Sequence, residues 1–293
     1  MKVFKFGGAS VKDAAGVKNL SSIVHQQQGQ LIVVVSAMGK TTNLLETLCN
    51  AYFHQDPKAT AIMKELKDFH LNIVTSLFPL NAPVYKHLEE LFINLENILA
   101  SESSLCYDYE YDRIICFGEL ISTTIISDYM EMEGIENQFI DIRKFLKTDQ
   151  NYRNANIDLE LSEQLCKEAF DFNTSSTFVT QGFIAGTRTN QTTTLGREGS
   201  DYTAALLANL LNAENVTIWK DVPGVMNADP KEYEKAQVIS RMSYKEAIEL
   251  SHFGAKVIHP KTIKPIQNKQ IPLYVKSFLH PESEGTVIQE IDE

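Results

Sequence analysis

The residues best suited to chemistry in this sequence are charged side chains beside glycine-rich turns. Lys5 lies near the end of the apolar run Met1–Phe6, which comes just before the pair Gly7 and Gly8. Adjacent glycines let the backbone approach a ligand and present N–H groups to it. A helix predicted to start at Ser10 would add its dipole, which favours anions. Lys5, Gly7 and Gly8 therefore predict an anion site, although an ordinary β–α turn with a surface lysine is an equal alternative.

A second glycine turn has the sequence LGREGSD at residues 195–201. Arg197 stands in its mouth, and a guanidinium group can bind a carboxylate through two parallel hydrogen bonds. We predict a helix from Tyr202 to Leu211, which Ser200 or Asp201 would cap. A plain N-cap is thus the alternative to a chemical role for Asp201.

Glu119 is an acidic residue inside an apolar segment. We predict a buried helix from Ile114 to Met130, where Phe117 and Leu120 flank the carboxylate. A buried carboxylate needs a partner. That partner is either a structural ion-pair residue or the cation of a ligand.

The elements that must position these residues alternate between strands and helices. Apolar runs predict strands at the N-terminus, at Leu31–Val35 and at several later points, which favours an α/β fold with a mostly parallel sheet. Ligands bind such sheets at the carboxyl ends of the strands. The sequence GKT at residues 39–41 imitates the end of a Walker A motif, but the first motif glycine would fall at Val34, inside a strand, and we exclude a P-loop.

Composition excludes several classes of protein. The 293-residue chain is 43% hydrophobic, with a net charge of -11, so a general nucleic-acid or anionic-membrane binder is not expected. The run Leu31–Val35 is far too short to span a bilayer. The N-terminus has no signal-peptide pattern, and the four cysteines lack metal-ligand or redox spacing. A cytoplasmic location is the resulting expectation.

Motifs along the whole chain together resemble the signatures of the aspartate kinases, within the amino-acid kinase superfamily. They are KFGGAS at 5–10, FGE at 117–119, LGREGSD at 195–201, WKDVPG at 219–224 and FGAKVIHP at 253–260. The resemblance implies a three-layer α/β/α sandwich with a mostly parallel central sheet. It also implies an amino-acid lobe at about 1–175 and a nucleotide lobe at about 176–293. Within the first lobe, apolar residues at helical spacing predict a helical insert at 43–137.

The same resemblance implies phosphoryl transfer from MgATP to the β-carboxylate of L-aspartate, the first step towards lysine, threonine and methionine. By their match to the family motifs, Lys5 and Asp201 would be catalytic, with Asp201 orienting Lys5. Substrate-binding positions would be Thr42, Glu119, Arg197 and Ser200. Nucleotide-binding positions would be Lys5, Gly7, Gly8, Lys220, Asp221, Met226, Lys231 and Lys256. Mg²⁺ would be held mainly by the phosphate oxygens, with no dedicated metal-binding cage from the protein.

The chain also departs from the family pattern. Lys220, Met226 and Lys231 differ from the residues often found there, and for both lysines a solvated surface position is the alternative. Glu198 replaces a frequent glycine. Many aspartate kinases continue into regulatory domains, so we expect a catalytic module without its own feedback site, naturally short or cut from a longer chain. A homo-oligomer, or fusion to regulatory or dehydrogenase domains, would fit this expectation.

Two alternatives to aspartate kinase activity remain. One is another kinase of the superfamily, for glutamate or acetylglutamate, which the FGE motif and the aspartate-type glycine turn disfavour. The other is an inactive relative that serves as a ligand sensor or a subunit, which the joint presence of Lys5, Arg197 and Asp201 disfavours.

Overall fold

The computed structural model describes residues 1–228, 233, 235–252 and 258–291. The strands of this part of the chain are β1 (Lys2–Phe6), β2 (Leu31–Val35), β3 (Gln138–Ile140), β4 (Lys147–Thr148), β5 (Thr177–Gln181), β6 (Ile184–Thr187), β7 (Thr192–Thr194), β8 (Asn215–Lys220), β9 (Arg241–Ser243), β10 (Leu273–Ser277) and β11 (Thr286–Gln289). The helices are α1 (Ala14–His25), α2 (Thr41–Phe53), α3 (Lys58–Leu77), α4 (Val84–Ala100), α5 (Tyr107–Ile115), α6 (Phe117–Met132), α7 (Leu159–Ala169), α8 (Gly199–Leu210), α9 (Tyr244–His252) and α10 (Pro260–Gln267).

An eight-stranded sheet in the order β3-β5-β2-β1-β8-β10-β11-β9 forms the centre of the molecule. All neighbours are parallel except β10 and β11, so the predicted mostly parallel sheet is confirmed. Strand β2 is buried at every position, as its continuous apolar run predicts. Strand β1 pairs with β2 on one side and with β8 on the other, which brings the carboxyl ends of these three strands to one edge.

Helices cover both faces of this sheet, which gives the predicted three layers. Because successive strand residues point to opposite faces, Phe4 and Lys5 of β1 look in different directions. Phe4 lies near Ile23 of α1, whereas Lys5 contacts Asp201 of α8. Helix α1 packs with α6, and α8 packs with α7 and α10.

A small second sheet in the order β4-β6-β7 lies beside the main one. Strands β6 and β7 are antiparallel, and the turn between them contains Thr189–Gln191. Strand β7 leads directly into the glycine turn that precedes α8. The second sheet therefore fixes where that turn begins.

The region from 43 to 137 is helical, as predicted, and contains most of α2 and all of α3 to α6. The prediction of a single helix at 114–130 is wrong in one respect. The helix is interrupted at Cys116, so that α5 ends at Ile115 and α6 starts at Phe117. Both helices remain buried on their inner faces, and Glu119 lies in the first turn of α6.

Two helix starts differ from the sequence prediction. Residues Gly8–Val11 form a 3-10 turn, and α1 begins only at Ala14, where the Asp13 carboxylate accepts a hydrogen bond from the Gly16 N–H. Helix α8 begins at Gly199, so Asp201 lies within its first turn and is not the predicted N-cap.

The C-terminal region adds one more strand to the main sheet. Residues Thr286–Gln289 form β11, which pairs with β10 and β9 inside the main sheet. The buried Thr286 hydroxyl accepts a hydrogen bond from the Val225 N–H and donates one to the Ile239 carbonyl. These bonds tie the C-terminal region to the loop after β8.

Candidate active site

A cleft of about 380 Å³ opens at the carboxyl ends of β1 and β2. Six of the predicted site residues line it together, namely Lys5, Thr42, Glu119, Arg197, Ser200 and Asp201. They come from β1, α2, α6, the turn before α8 and α8 itself. Residues that are far apart in sequence therefore meet in one cleft, at the sheet edge where open α/β folds bind ligands.

Asp201 joins two lysines from neighbouring strands. Its Oδ1 atom lies 2.6 Å from Lys5 Nζ, and its Oδ2 atom lies 3.5 Å from Lys220 Nζ. Burial opposes ionisation of Asp201, but the charges of Lys5 and Lys220 outweigh burial and hold its pKa below the usual range. One carboxylate between two cations leaves a net positive charge, which suits an anionic ligand.

Glu119 is 2% exposed and is only partly paired. Its Oε1 atom accepts a hydrogen bond of 3.2 Å from the Ala37 N–H. Among the described residues, Oε2 has no hydrogen-bond partner. Burial raises the pKa of Glu119 to about 8, although the Ala37 N–H and the charge of Lys5 act in the opposite direction. An orphaned buried carboxylate oxygen beside a cleft is well suited to a cationic group of a ligand.

The first glycine turn packs tightly against the loop that follows β2. A Cβ atom on Gly8 would lie 2.7 Å from the Ala37 carbonyl oxygen, so no larger residue fits without movement. The Gly39 N–H also donates a hydrogen bond to the Gly8 carbonyl. Within the described ranges, the N–H groups of Gly7 and Gly8 donate no backbone hydrogen bond, which leaves both amides available to a ligand near Lys5.

At Glu198 the second glycine turn has a backbone conformation that favours glycine, and nothing in the structure explains the glutamate there. This residue has a φ of 55° in the left-handed region, which glycine adopts far more easily. Ser200 lies against Gly182, where a Cβ atom would come within 2.5 Å of the Ser200 Cβ. The turn is thus held close to the end of β5, with Arg197 and Ser200 facing the cleft.

Other predicted residues lie away from this lining or cannot be placed. Asp221 is exposed, and Met226 is half-buried and forms an isolated bridge with Val238. Neither belongs to the residues that line the cleft. Lys231 and Lys256 lie outside the described residues.

The sequence analysis missed several residues that line the cleft, namely Ser36, Tyr111, Arg153, Phe183 and Thr194. Two of these residues contact the buried Asp112. Its carboxylate accepts hydrogen bonds from the N–H groups of Arg153 and Thr194 and from the Thr194 hydroxyl. Burial raises the pKa of Asp112 to about 6, against the effect of these bonds. An acidic residue seven positions before Glu119 does not reveal these distant partners by itself.

In the described part of the chain, no three acidic, histidine or cysteine side chains come together as a metal site. No helix in these ranges has the length and apolar character needed to cross a bilayer.

Comparison with known proteins adds to this geometry. Residues 1–277 match the model of the Amino acid kinase family. The chain belongs to the amino acid kinase family. In this chain, the fold of the family consists of the eight-stranded sheet with helices on both faces. The cleft lies at the carboxyl edge of that sheet.

Several members of the amino acid kinase family resemble the chain over nearly its whole length. It is 33% identical to lysine-sensitive aspartokinase 3 of Escherichia coli, covering 98% of this chain and 63% of that protein. It is 32% identical to the bifunctional aspartokinase/homoserine dehydrogenase 1 of Zea mays, covering 98% of this chain and 32% of that protein. Among solved structures, E. coli aspartokinase III in complex with aspartate and ADP has a TM-score of 0.91 and 32% identity, covering 100% of this chain and 65% of that one.

The chain thus spans between about a third and two thirds of the length of these relatives. The matching part includes every element that lines the cleft. An isopentenyl phosphate kinase of T. acidophilum shares the fold, with a TM-score of 0.53 at 15% identity.

Proposed function

We propose that this protein transfers the terminal phosphoryl group of ATP to the β-carboxylate of L-aspartate, which yields 4-phospho-L-aspartate and ADP. The observation that carries the proposal is the meeting of Lys5, Asp201, Arg197 and Glu119 in one cleft. The charges of these groups match those of the two substrates. Lys5 can bind a phosphate, Arg197 can bind a carboxylate, and Glu119 can bind an ammonium group. The relatives named aspartokinase, including one in complex with aspartate and ADP, support this assignment.

The acceptor end of the cleft suits a zwitterionic amino acid. Arg197 would bind a substrate carboxylate through two hydrogen bonds. Glu119 would receive the ammonium group on the oxygen that has no partner among the described residues. Thr42 and Ser200 would add neutral hydrogen bonds to carboxylate oxygens.

The donor end of the cleft suits a triphosphate. Lys5 and the amides of Gly7 and Gly8 would hold the phosphoryl group during transfer, where the developing negative charge needs fixed donors. Asp201 would keep Lys5 in place through the 2.6 Å ion pair, and Lys220 would act beside it. The roles of Asp221, Met226, Lys231 and Lys256 in nucleotide binding remain predictions.

The reaction needs no general base. The acceptor carboxylate is already ionised, so one of its oxygens forms a bond to the γ-phosphorus while the bond from that phosphorus to the bridging oxygen of ADP breaks. Mg²⁺ would arrive with ATP and neutralise phosphate charge, held by phosphate oxygens. A cytoplasmic location, a homo-oligomer and fusion to further domains likewise stay predictions.

A direct test measures ADP release with L-aspartate, L-glutamate and N-acetylglutamate as acceptors, in a coupled assay with an acceptor-free control. Trapping with hydroxylamine adds a chemical readout, because an acyl phosphate gives a hydroxamate. We expect both signals with aspartate alone. Activity with glutamate or acetylglutamate instead, or with none of the three, would contradict the proposal and favour another kinase of the family or an inactive binding protein.

A further inference from the structure

Arg153 lines the cleft together with Arg197, but no motif of the sequence singles it out. Its guanidinium lies over the ring of Tyr111, another cleft residue, with its carbon atom 4.3 Å from the ring centroid. It also lies near two carboxylates of the helical insert, with Nη1 3.3 Å from Asp108 and Nη2 4.0 Å from Glu46. The cleft therefore contains two arginines, of which only one has a proposed role.

The backbone of Arg153 is held in a conformation that an arginine rarely adopts. Its φ is 66°, in the left-handed region that favours glycine. Its N–H donates to the buried Asp112, which also accepts a hydrogen bond from the Thr194 N–H. Strained residues that the surrounding structure holds firmly in place are found mainly at functional sites.

Further contacts fix the loop of Arg153 against the turn of Arg197. Lys261 Nζ donates to Asn154 Oδ1 at 3.1 Å and to the Leu195 carbonyl at 2.7 Å. A Cβ atom on Gly196 would lie 3.2 Å from the Arg153 carbonyl oxygen, so the two backbones are in close contact. The loop that carries Arg153 and the turn that carries Arg197 are therefore packed against each other.

We propose that Arg153 is a second substrate-binding cation, which contacts a carboxylate of the anionic acceptor and sets the preference for a dicarboxylic amino acid. An acceptor of this kind carries two carboxylates, and a single arginine does not neutralise both. The inference rests on the proposed function, since it names a further residue of the same acceptor site.

The present partners of Arg153 could be exchanged at low cost. The side chains of Asp108 and Glu46 are 54% and 51% exposed, and surface ion pairs of this kind contribute little to stability. A substrate carboxylate inside the cleft could therefore take the place of these carboxylates on the guanidinium. Asp108 would therefore be a competitor of the substrate for Arg153.

The test uses Arg153→Gly and Arg153→Gln, with Arg188→Gln as the matched control. Glycine removes the guanidinium and at the same time relieves the left-handed backbone, so loss of activity could not be assigned to added strain. Arg188 is an exposed arginine paired with Asp158 outside the cleft. We expect the KM for aspartate to rise about tenfold or more in both Arg153 variants, with the KM for ATP and the melting temperature nearly unchanged. The control should match the wild type.

A double-mutant cycle with Asp108→Asn separates substrate binding from a structural role. Removal of the competing carboxylate should lower the KM for aspartate in the wild-type background and have no effect in Arg153→Gly. An unchanged KM for aspartate in both Arg153 variants, or a rise confined to ATP, would overturn the inference while the proposed function stands. If the wild type itself does not phosphorylate aspartate, the proposed function fails. Calorimetric titration of aspartate into the wild type and Arg153→Gly then decides on Arg153, because equal affinity would overturn its role.

Discussion

At the scale of single residues, the most informative group is Glu119, a buried carboxylate that is incompletely paired. Burial raises its pKa to about 8, so the free protein holds this group protonated at pH 7. The folded protein then keeps a proton that the unfolded chain releases above a pKa of about 4.5. Its contribution to stability is therefore present in full below pH 4.5 and is lost as the pH rises through about 8.

A bound ammonium group should reverse this state. We expect aspartate binding to lower the pKa of Glu119 and to release roughly one proton at pH 7. Isothermal titration calorimetry in buffers of different ionisation enthalpy measures this release directly. In Glu119→Gln the release should disappear and aspartate should bind more weakly. Binding without proton release in the wild type would mean that Glu119 does not receive the ammonium group.

Lys5 is the cation that lies closest to Asp201, and it is almost completely buried. Its replacement by alanine should lower kcat by about 10³-fold, because a fixed positive charge near the transferring phosphoryl group is lost. Lys2→Ala is the matched control, since Lys2 belongs to the same strand but points to the opposite face of the sheet. The melting temperature of both variants shows whether the fold persists. Activity of Lys5→Ala close to that of the wild type would exclude Lys5 from the reaction.

At the scale of elements, the position of α6 depends on a close contact at Gly118. A Cβ atom there would lie 2.8 Å from the Cβ of Ala37, the residue whose N–H binds Glu119. A glycine in the first turn of α6 thus lets the helix reach the loop after β2. It follows that the glycine of the FGE motif positions the carboxylate that comes next in the sequence.

We expect Gly118→Ala to push α6 away from this loop. Overpacking should destabilise the protein by about 1–3 kcal/mol, partly offset by the better helix propensity of alanine, which is worth about 1 kcal/mol. The KM for aspartate should rise, since Glu119 moves with the helix. The double variant Gly118→Ala/Ala37→Gly makes room for the new methyl group and should recover both properties. A single variant with unchanged KM would show that the contact has no influence on the site.

At the scale of the whole molecule, one sheet joins the two halves of the chain. Strand β1 pairs with β2 of the first half and with β8 of the second half. The cleft likewise combines Glu119 from the first half with Arg197 and Asp201 from the second. The division into an amino-acid lobe at 1–175 and a nucleotide lobe at 176–293 stays a prediction about ligand binding, and it does not describe two separate sheets.

This continuity leads to a prediction for unfolding. Separation of the halves would break the central β1–β8 ladder, so we expect one cooperative transition in differential scanning calorimetry. Aspartate and ADP should both raise the temperature of that same transition, because each would bind only the folded cleft. Two resolved transitions, with only one shifted by each ligand, would instead show that the lobes fold as independent units.

The sequence alone was sufficient for features that depend on neighbouring residues. Apolar runs located β1, β2 and β8, helical spacing located the insert at 43–137, and the charged glycine turns pointed to the residues that line the cleft. These signals are local, since hydrophobic periodicity and the conformational freedom of glycine act within a few residues. The resemblance to a family then joined them into one expected site.

Tertiary structure alone decided which distant groups meet. The ion pair between Lys5 and Asp201 depends on the fold, which places β1 beside α8. From the sequence alone, Asp201 could also be interpreted as a helix N-cap. The position of Arg153 in the cleft depends on its contact with the buried Asp112. The formation of strand β11 depends on its pairing with β10 and β9. Polar residues leave no periodic signal of their own, and their partners lie far away in the chain. Their roles are fixed only when the fold brings those partners within a few ångströms.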